Sequence, residues 1–425
     1  MYHLRTRTAH GNLQIYTFSN LHIQDIVSGI YIHIPFCKSR CAYCDFFSTT
    51  QLSRREAYVD ALCKEAKRRL ATLNSKRSTP NPITTIYFGG GTPSLLSPDQ
   101  IARILQTIDA PQAIEVTLEA NPGDLTPNYL RAVREAGVNR LSIGIQSFDD
   151  EVLRLIGRRH TAAEAKAAVK AAQDAGFANI SIDLIYGIPS TIISPNYKQD
   201  GAAPDCIGIN FQPHLLDIST LNSPLSAWEA QIEQALQLGV QHISTYCLSH
   251  EEGARMTRML EQGEITEVDE DTENAMYDLL VSQLKEAGFE HYEVSNFALP
   301  GYRSQHNSSY WNRTPYIGLG AGAHSYDGAC TRSWDPDNLE EYIRAMERGE
   351  DAATYETLTD TDLYNERIML GLRTAEGIAI NELHDPTLAQ PFIERGLLQE
   401  TADRRLIATI SGIHILNRII EDLME

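Results

Sequence analysis

The order of strand-like and helical runs predicts an α/β protein built on a partial (β/α)6 TIM-like barrel. Six runs rich in β-branched and aromatic residues, at 29–35, 83–88, 114–120, 140–146, 180–186 and 242–248, alternate with amphipathic stretches such as 54–73 and 161–176. Strand–helix alternation implies βαβ units and a parallel sheet, and six units suit an open barrel better than a flat doubly wound sheet. The side chains within the strands add a further observation, because successive residues of a strand point to opposite faces.

In the first run Ile30, Ile32 and Ile34 oppose Tyr31 and His33. In the third, Ile114, Val116 and Leu118 oppose Glu115, Thr117 and Glu119; in the fourth, Leu141, Ile143 and Ile145 oppose Ser142, Gly144 and Gln146. In the fifth, Ile180, Ile182 and Leu184 oppose Ser181 and Asp183. Parallel strands covered by helices need an apolar outer face, so the polar set should point into the barrel, where Val, Ile and Leu are usual. Carboxylates such as Glu119 and Asp183 are costly to bury without partners, which implies a cavity for a polar ligand or, failing that, buried water.

The first run leads into Cys37-Lys38-Ser39-Arg40-Cys41-Ala42-Tyr43-Cys44, a CxxxCxxC spacing. Three thiolates hold three irons of a [4Fe–4S] cube and leave the fourth open to an exogenous ligand. A structural zinc ion instead wants four ligands, and the fourth would have to be His33 or Asp45. The second run is followed directly by Gly89-Gly90-Gly91-Thr92-Pro93, where missing side chains let backbone N–H and C=O groups approach a ligand.

Residues 190–225, rich in Pro, Asn, Ser and Gly, read as an insertion before a helix near Ala227, either a lid or a surface excursion. Beyond the barrel come a helix at 270–288, a strand at 291–294 and a Gly-rich segment at 318–325. From about 357 the pattern is helical, then 396–398 leads into 405–409 and a last helix, which suggests a winged-helix-like unit. The expected divisions are a flexible leader at 1–28, the barrel at 29–250, an α+β extension at 251–355 and the C-terminal unit at 356–425.

The formal net charge of −20 over 425 residues opposes binding to phosphate backbones, and no basic cluster of useful length offsets it. No nucleic-acid partner is expected, and the C-terminal unit reads as a lid or docking domain. The seven cysteines include four scattered singly, Cys63, Cys206, Cys247 and Cys330, which fits a reducing, cytoplasmic setting. No apolar run is long enough to span a bilayer. The leader carries Arg5 and Arg7 ahead of its first acid, Asp25, and is read as a flexible tail or a targeting segment.

Taken together, Tyr31 to Cys37, Tyr87 to Pro93, Glu119 to Pro122, Arg140 to Phe148 and Asp183 to Pro189 make the chain resemble the radical S-adenosylmethionine (SAM) superfamily, within it the oxygen-independent coproporphyrinogen III oxidase group. The resemblance implies that Cys37, Cys41 and Cys44 ligate a [4Fe–4S] cluster. It implies too that Gly90, Gly91 and Thr92 bind the amino-acid end of SAM, with Tyr31, Tyr43, Glu119, Gln146, Arg158 and Asp183 lining the rest. The oxidases resemble CxxxCxxCxC, whereas here Phe46 stands two positions after Cys44. The Cys44-Asp45-Phe46 ending and the HNxxYW segment His306 to Trp311 resemble instead the HemW-type haem-chaperone branch. That resemblance implies haem as a further cofactor, with His306, Asn307, Tyr310 and Trp311 contacting it and His306 as axial ligand. It also implies haem-protein acceptors, membrane-bound ones included. The alternative is oxidative decarboxylation of coproporphyrinogen III, and the presence of enzymatic activity is left open.

Overall fold

The computed structural model describes residues 29–75, 83–189 and 223–425. The leader and nearly all of the 190–225 insertion, with Cys206 and His214, lie outside these residues. Six parallel strands follow one another in chain order: β1 (Gly29–Ile34), β2 (Thr85–Gly90), β3 (Glu115–Ala120), β4 (Arg140–Gln146), β5 (Ile180–Tyr186) and β6 (His242–Cys247). Ile30, Ile32 and Ile34 pack outward in one core with Tyr58 and Leu62 of the helix Arg55–Ser75. Its neighbours have sequence-encoded starts. Ser97 and Gln100 form a capping box at the helix Pro98–Ile108, and Thr161 and Glu164 do so at Ala162–Asp174. The helix expected near Ala227 begins at Pro224, because Ser223 caps it.

One apolar position departs from the alternation. Ile114 is 60% exposed, since it precedes β3: pairing starts at Glu115, and Asn139 Nδ2 donates to the Ile114 carbonyl instead.

The sheet does not close. Past β6 it continues antiparallel through β7 (Glu290–Glu293) and β8 (Asn296–Ala298), and β8 is the one beside β6. On the other side β9 (Tyr316–Leu319) runs parallel to β1, followed by antiparallel β10 (His324–Tyr326), β11 (Thr331–Trp334) and β12 (Thr354–Thr357). The Gly-rich segment is therefore the β9–β10 turn. A side chain at Gly318 would collide with the His324 carbonyl, and one at Gly320, which sits at φ 102°, with the Tyr58 hydroxyl.

Near the C-terminus β13 (Ile378–Ala379), β14 (Leu398–Glu400) and β15 (Arg405–Ala408) form a separate three-stranded sheet. It shares a second core with Tyr364, Phe392, Ile419 and Leu423. No helix among the described residues is long and apolar enough to cross a membrane.

Candidate cofactor site at the barrel mouth

The inward-facing side chains divide the barrel interior into a closed floor and an open mouth. Thr85, Glu115, Thr117, Arg140, Ser181 and His242 are buried near the strand starts, whereas Glu119, Gln146 and Asp183, toward the strand ends, are partly open. The polar face of the alternation does point inward, and the cysteine loop leaves β1 at the open end.

That loop is held by backbone bonds on several sides. Cys37 N donates to Thr49 O at 2.9 Å, Ala42 N to Ile156 O at 2.9 Å, and Met256 N to Ala42 O at 2.9 Å. Cys37, Cys41 and Cys44 are all free thiols. Among the described residues no three His, Cys, Asp or Glu side chains gather round a single ion. His33 is also unsuited to complete a zinc site. Its Nε2–H donates to Phe47 O at 3.0 Å, so Nδ1 accepts from the Tyr31 hydroxyl at 3.0 Å. Three thiols spread along a loop fit a cube, whose corner irons are several ångströms apart, better than one tetrahedral ion. Burial pushes the Cys44 thiol up to about 12, so a thiolate there needs a metal centre to displace its proton.

Arg158 Nη1 lies 3.6 Å from Cys41 Sγ, and its Nη2 donates to Gly144 O at 2.5 Å. Its Nε is buried without a partner. The adjacent Arg159 turns away, 3.7 Å from Asp124, which settles which arginine reaches the loop. Tyr43 shares hydrogen bonds with Cys41 and Arg158.

The glycine turn crosses directly over the loop. Gly91 N donates to Ile34 O at 2.9 Å, and a Cβ at Gly91 would lie 3.0 Å from Cys37 Sγ. Gly90 sits at φ 111°, and a Cβ there would lie 2.7 Å from the His33 ring. Thr92 Oγ1 is 3.5 Å from Cys37 Sγ. The turn thus presents bare backbone beside the first thiol, a cradle suited to an amino-acid moiety.

Across the mouth Glu119 accepts from the Tyr87 hydroxyl at 2.8 Å and from Gly90 N at 3.1 Å. Burial nevertheless raises it to about 7, with the nearby Asp183 charge adding to the rise. Asp183 accepts from Ser142 Oγ at 3.3 Å, and burial raises it as well. Gln146 has φ 70° where a β-bulge shifts the β4–β5 register. A left-handed non-glycine residue at a strand end is the strained geometry that marks functional positions.

These groups bear on a cation, and SAM carries both a sulfonium and an ammonium. With burial holding Glu119 up at about 7, a SAM site lined by this carboxylate predicts affinity that rises with pH through that value, by about tenfold between pH 6 and pH 8. Glu119→Gln should be weaker and flat. Isothermal titration at the two pH values checks this, and equal wild-type affinities would contradict it.

His306 lies at the opposite end. It is 0% exposed, Nδ1 is 2.9 Å from Thr85 Oγ1, Nε2 is 2.9 Å from the Tyr310 hydroxyl, and the ring stacks on Tyr87 at 5.1 Å. Glu115 accepts from both Gln305 N and His306 N, fixing the helix Gln305–Trp311 under the barrel floor. Both ring nitrogens are thus engaged with neighbouring hydroxyls in the interior. Of the same motif, Asn307, Tyr310 and Trp311 are partly exposed. Sequence reasoning also passed over Tyr87 and Arg140 as site residues, although strand alternation puts both on the inward face.

The fold and the mouth together define a radical SAM protein, and the sequence profile of the Radical SAM superfamily matches residues 31–193. Its cofactors are a [4Fe–4S] cluster and SAM. Proteins named heme chaperone HemW from Bacillus subtilis and Mycobacterium tuberculosis are each 31% identical, over 87% and 93% of this chain and 92% and 94% of their own lengths. The chain belongs to the HemW family. A zebrafish protein named radical S-adenosyl methionine domain-containing protein 1, mitochondrial, is 31% identical over 96% of this chain and 91% of its own. Among solved structures, Escherichia coli coproporphyrinogen III oxidase, HemN, is similar in fold at a TM-score of 0.73 and 20% identity, covering 95% of this chain and 91% of that one.

Proposed function

We propose that the chain is a haem chaperone, binding haem and passing it to acceptor haem proteins. The observation that carries this reading is the likeness to HemW over 92–94% of the bacterial relatives' lengths. Phe46, where the oxidase pattern has a fourth cysteine, supports it over porphyrinogen decarboxylation.

In this reading Cys37, Cys41 and Cys44 ligate the cluster, and Gly90, Gly91 and Thr92 hold the amino-acid end of SAM by backbone contact. Glu119 and Asp183 meet its positive charge, Tyr31 and Gln146 shape the chamber, and Arg158 with Tyr43 braces the second cysteine. When bound, the cluster would supply one-electron chemistry, while the barrel positions and shields the ligand. Haem packs against the outer side of Asn307 and Trp311, with His306 holding their helix in place rather than ligating iron. The winged-helix-like unit at 356–425 serves as a docking domain for the acceptor, and the setting is the cytoplasm.

The test mixes haem-loaded, cluster-reconstituted protein anaerobically with the apo form of a haem enzyme and follows the appearance of that enzyme's activity. Activity that rises as haem leaves the chain is expected. Conversion of coproporphyrinogen III to protoporphyrinogen IX by a chain that holds no haem would overturn the proposal.

A further inference from the structure

Lys38, the residue after Cys37, donates from Nζ to Asp124 Oδ1 at 2.7 Å. Ser94, two residues after Thr92, donates from Oγ to Asp124 Oδ2 at 3.0 Å, and the same hydroxyl accepts from Asn121 N at 3.1 Å. Arg159, next to Arg158, places Nη2 3.7 Å from Asp124 Oδ2. Asp124 itself closes the turn Pro122–Asp124 that follows β3, five residues after Glu119. The cysteine loop, the glycine turn, the end of β3 and the segment carrying Arg158 therefore meet at one carboxylate, whose side chain is only 6% exposed. A carboxylate withdrawn from water is costly unless donors meet its oxygens. Here the donors come from three separate segments, and each segment also carries a group assigned above to the cluster or to SAM. Lys38 is 44% exposed, and a single pair of that kind holds little on its own. What fixes the segments relative to one another is the sharing of one acceptor.

We infer that Asp124 is a positioning residue of the cofactor site: a shared acceptor that holds the cysteine loop and the glycine turn in register, so that cluster and SAM are brought together. It acts through Lys38 and Ser94 rather than on the cofactors. The inference rests on the reading that Cys37 ligates the cluster and Thr92 holds SAM.

The test compares wild type with Lys38→Met, Ser94→Ala, Asp124→Asn and the two doubles that add Asp124→Asn to each of the others, all cluster-reconstituted without oxygen. SAM affinity is measured by titration, cluster retention by the rate of iron loss to a chelator, and melting on the cluster-free chains. Asp124→Asn keeps the size of the side chain and removes its charge, and both site readouts should worsen by about tenfold, the lower edge of what outer-shell partners of metal sites contribute. Lys38→Met should chiefly speed iron loss and Ser94→Ala chiefly weaken SAM, because each frees its own segment. Either change should add less than about twofold to Asp124→Asn, since residues that act through one shared contact are not additive. Arg103→Met is the control: it breaks ion pairs to Glu56 and Asp60 between two outer helices, and should lower melting while both site readouts stay put. Wild-type readouts in Asp124→Asn, additive doubles, or losses that Arg103→Met reproduces in step with melting would overturn the inference. Should Asp124→Asn fail to fold, unchanged iron loss in Lys38→Met with unchanged SAM affinity in Ser94→Ala would overturn it. A wild type that takes up no iron and binds no SAM would instead overturn the site reading, and additive melting changes in the doubles would then overturn the joint at Asp124 as well.

Discussion

Alanine at any one of Cys37, Cys41 or Cys44 is expected to reduce reconstituted iron to background and abolish SAM binding. The loop has no further thiol to substitute: Cys63 lies in the helix Arg55–Ser75, and Cys247 ends β6 on the far side of β5. Loss of one corner would leave two irons of the cube without a protein ligand instead of one. Arg158→Ala should act more weakly. It removes a brace at 3.6 Å from Cys41 rather than a ligand, and outer-shell partners of metal sites are worth about 10–100-fold in affinity. Iron analysis, iron–sulfur absorbance and SAM titration of the four variants check the order. Retention of a full cluster in a cysteine variant would contradict the assignment of that residue.

His306→Ala is expected to destabilise the fold by about 2–4 kcal/mol, the sum of a cavity under the floor and two hydroxyls left unpaired on Thr85 and Tyr310. Burial, and then the Arg140 charge, push the imidazole down to about 3, so it stays neutral throughout the working range. The unfolded chain takes a proton near pH 6.5 that the native imidazole refuses, so this contribution to stability falls as pH drops from about 6.5 toward 3. His306→Gln should recover part of the loss and flatten that part of the acid dependence. Denaturant unfolding at pH 7.5 and pH 5.5 measures both effects. An alanine variant of unchanged stability that fails only in haem binding would restore the imidazole as the ligand.

His306 shows where a linear motif and a folded environment part company. The family resemblance implies an axial ligand at His306, and the sequence cannot show that Glu115, 191 residues away, accepts from His306 N and anchors the same helix. Tyr87 and Arg140 were missed for a related reason. Their strands were recognised, but the importance of each depends on what stands around it, Glu119 beside Tyr87 and, for Arg140, a buried Nε and Nη1 that have no hydrogen-bond partner among the described residues. By contrast, the six strands, their inward polar face and the cysteine loop were legible from local features, namely two-residue periodicity, glycine punctuation and cysteine spacing. The open ends of the sheet were not legible, because β9 pairs with β1 across 287 residues, from Gly29 to Tyr316, and the Gly-rich segment gives no local sign that it is the β9–β10 turn.

The most direct measurement is an anaerobic haem titration of the cluster-reconstituted protein, followed in the Soret region, with the melting temperature recorded alongside for wild type, His306→Ala and Trp311→Ala. The account predicts saturable binding at equimolar haem in the wild type, weakened in Trp311→Ala without loss of melting temperature and in His306→Ala only together with it. A wild-type protein that carries its cluster and SAM yet shows no saturable Soret change would contradict the haem-chaperone reading.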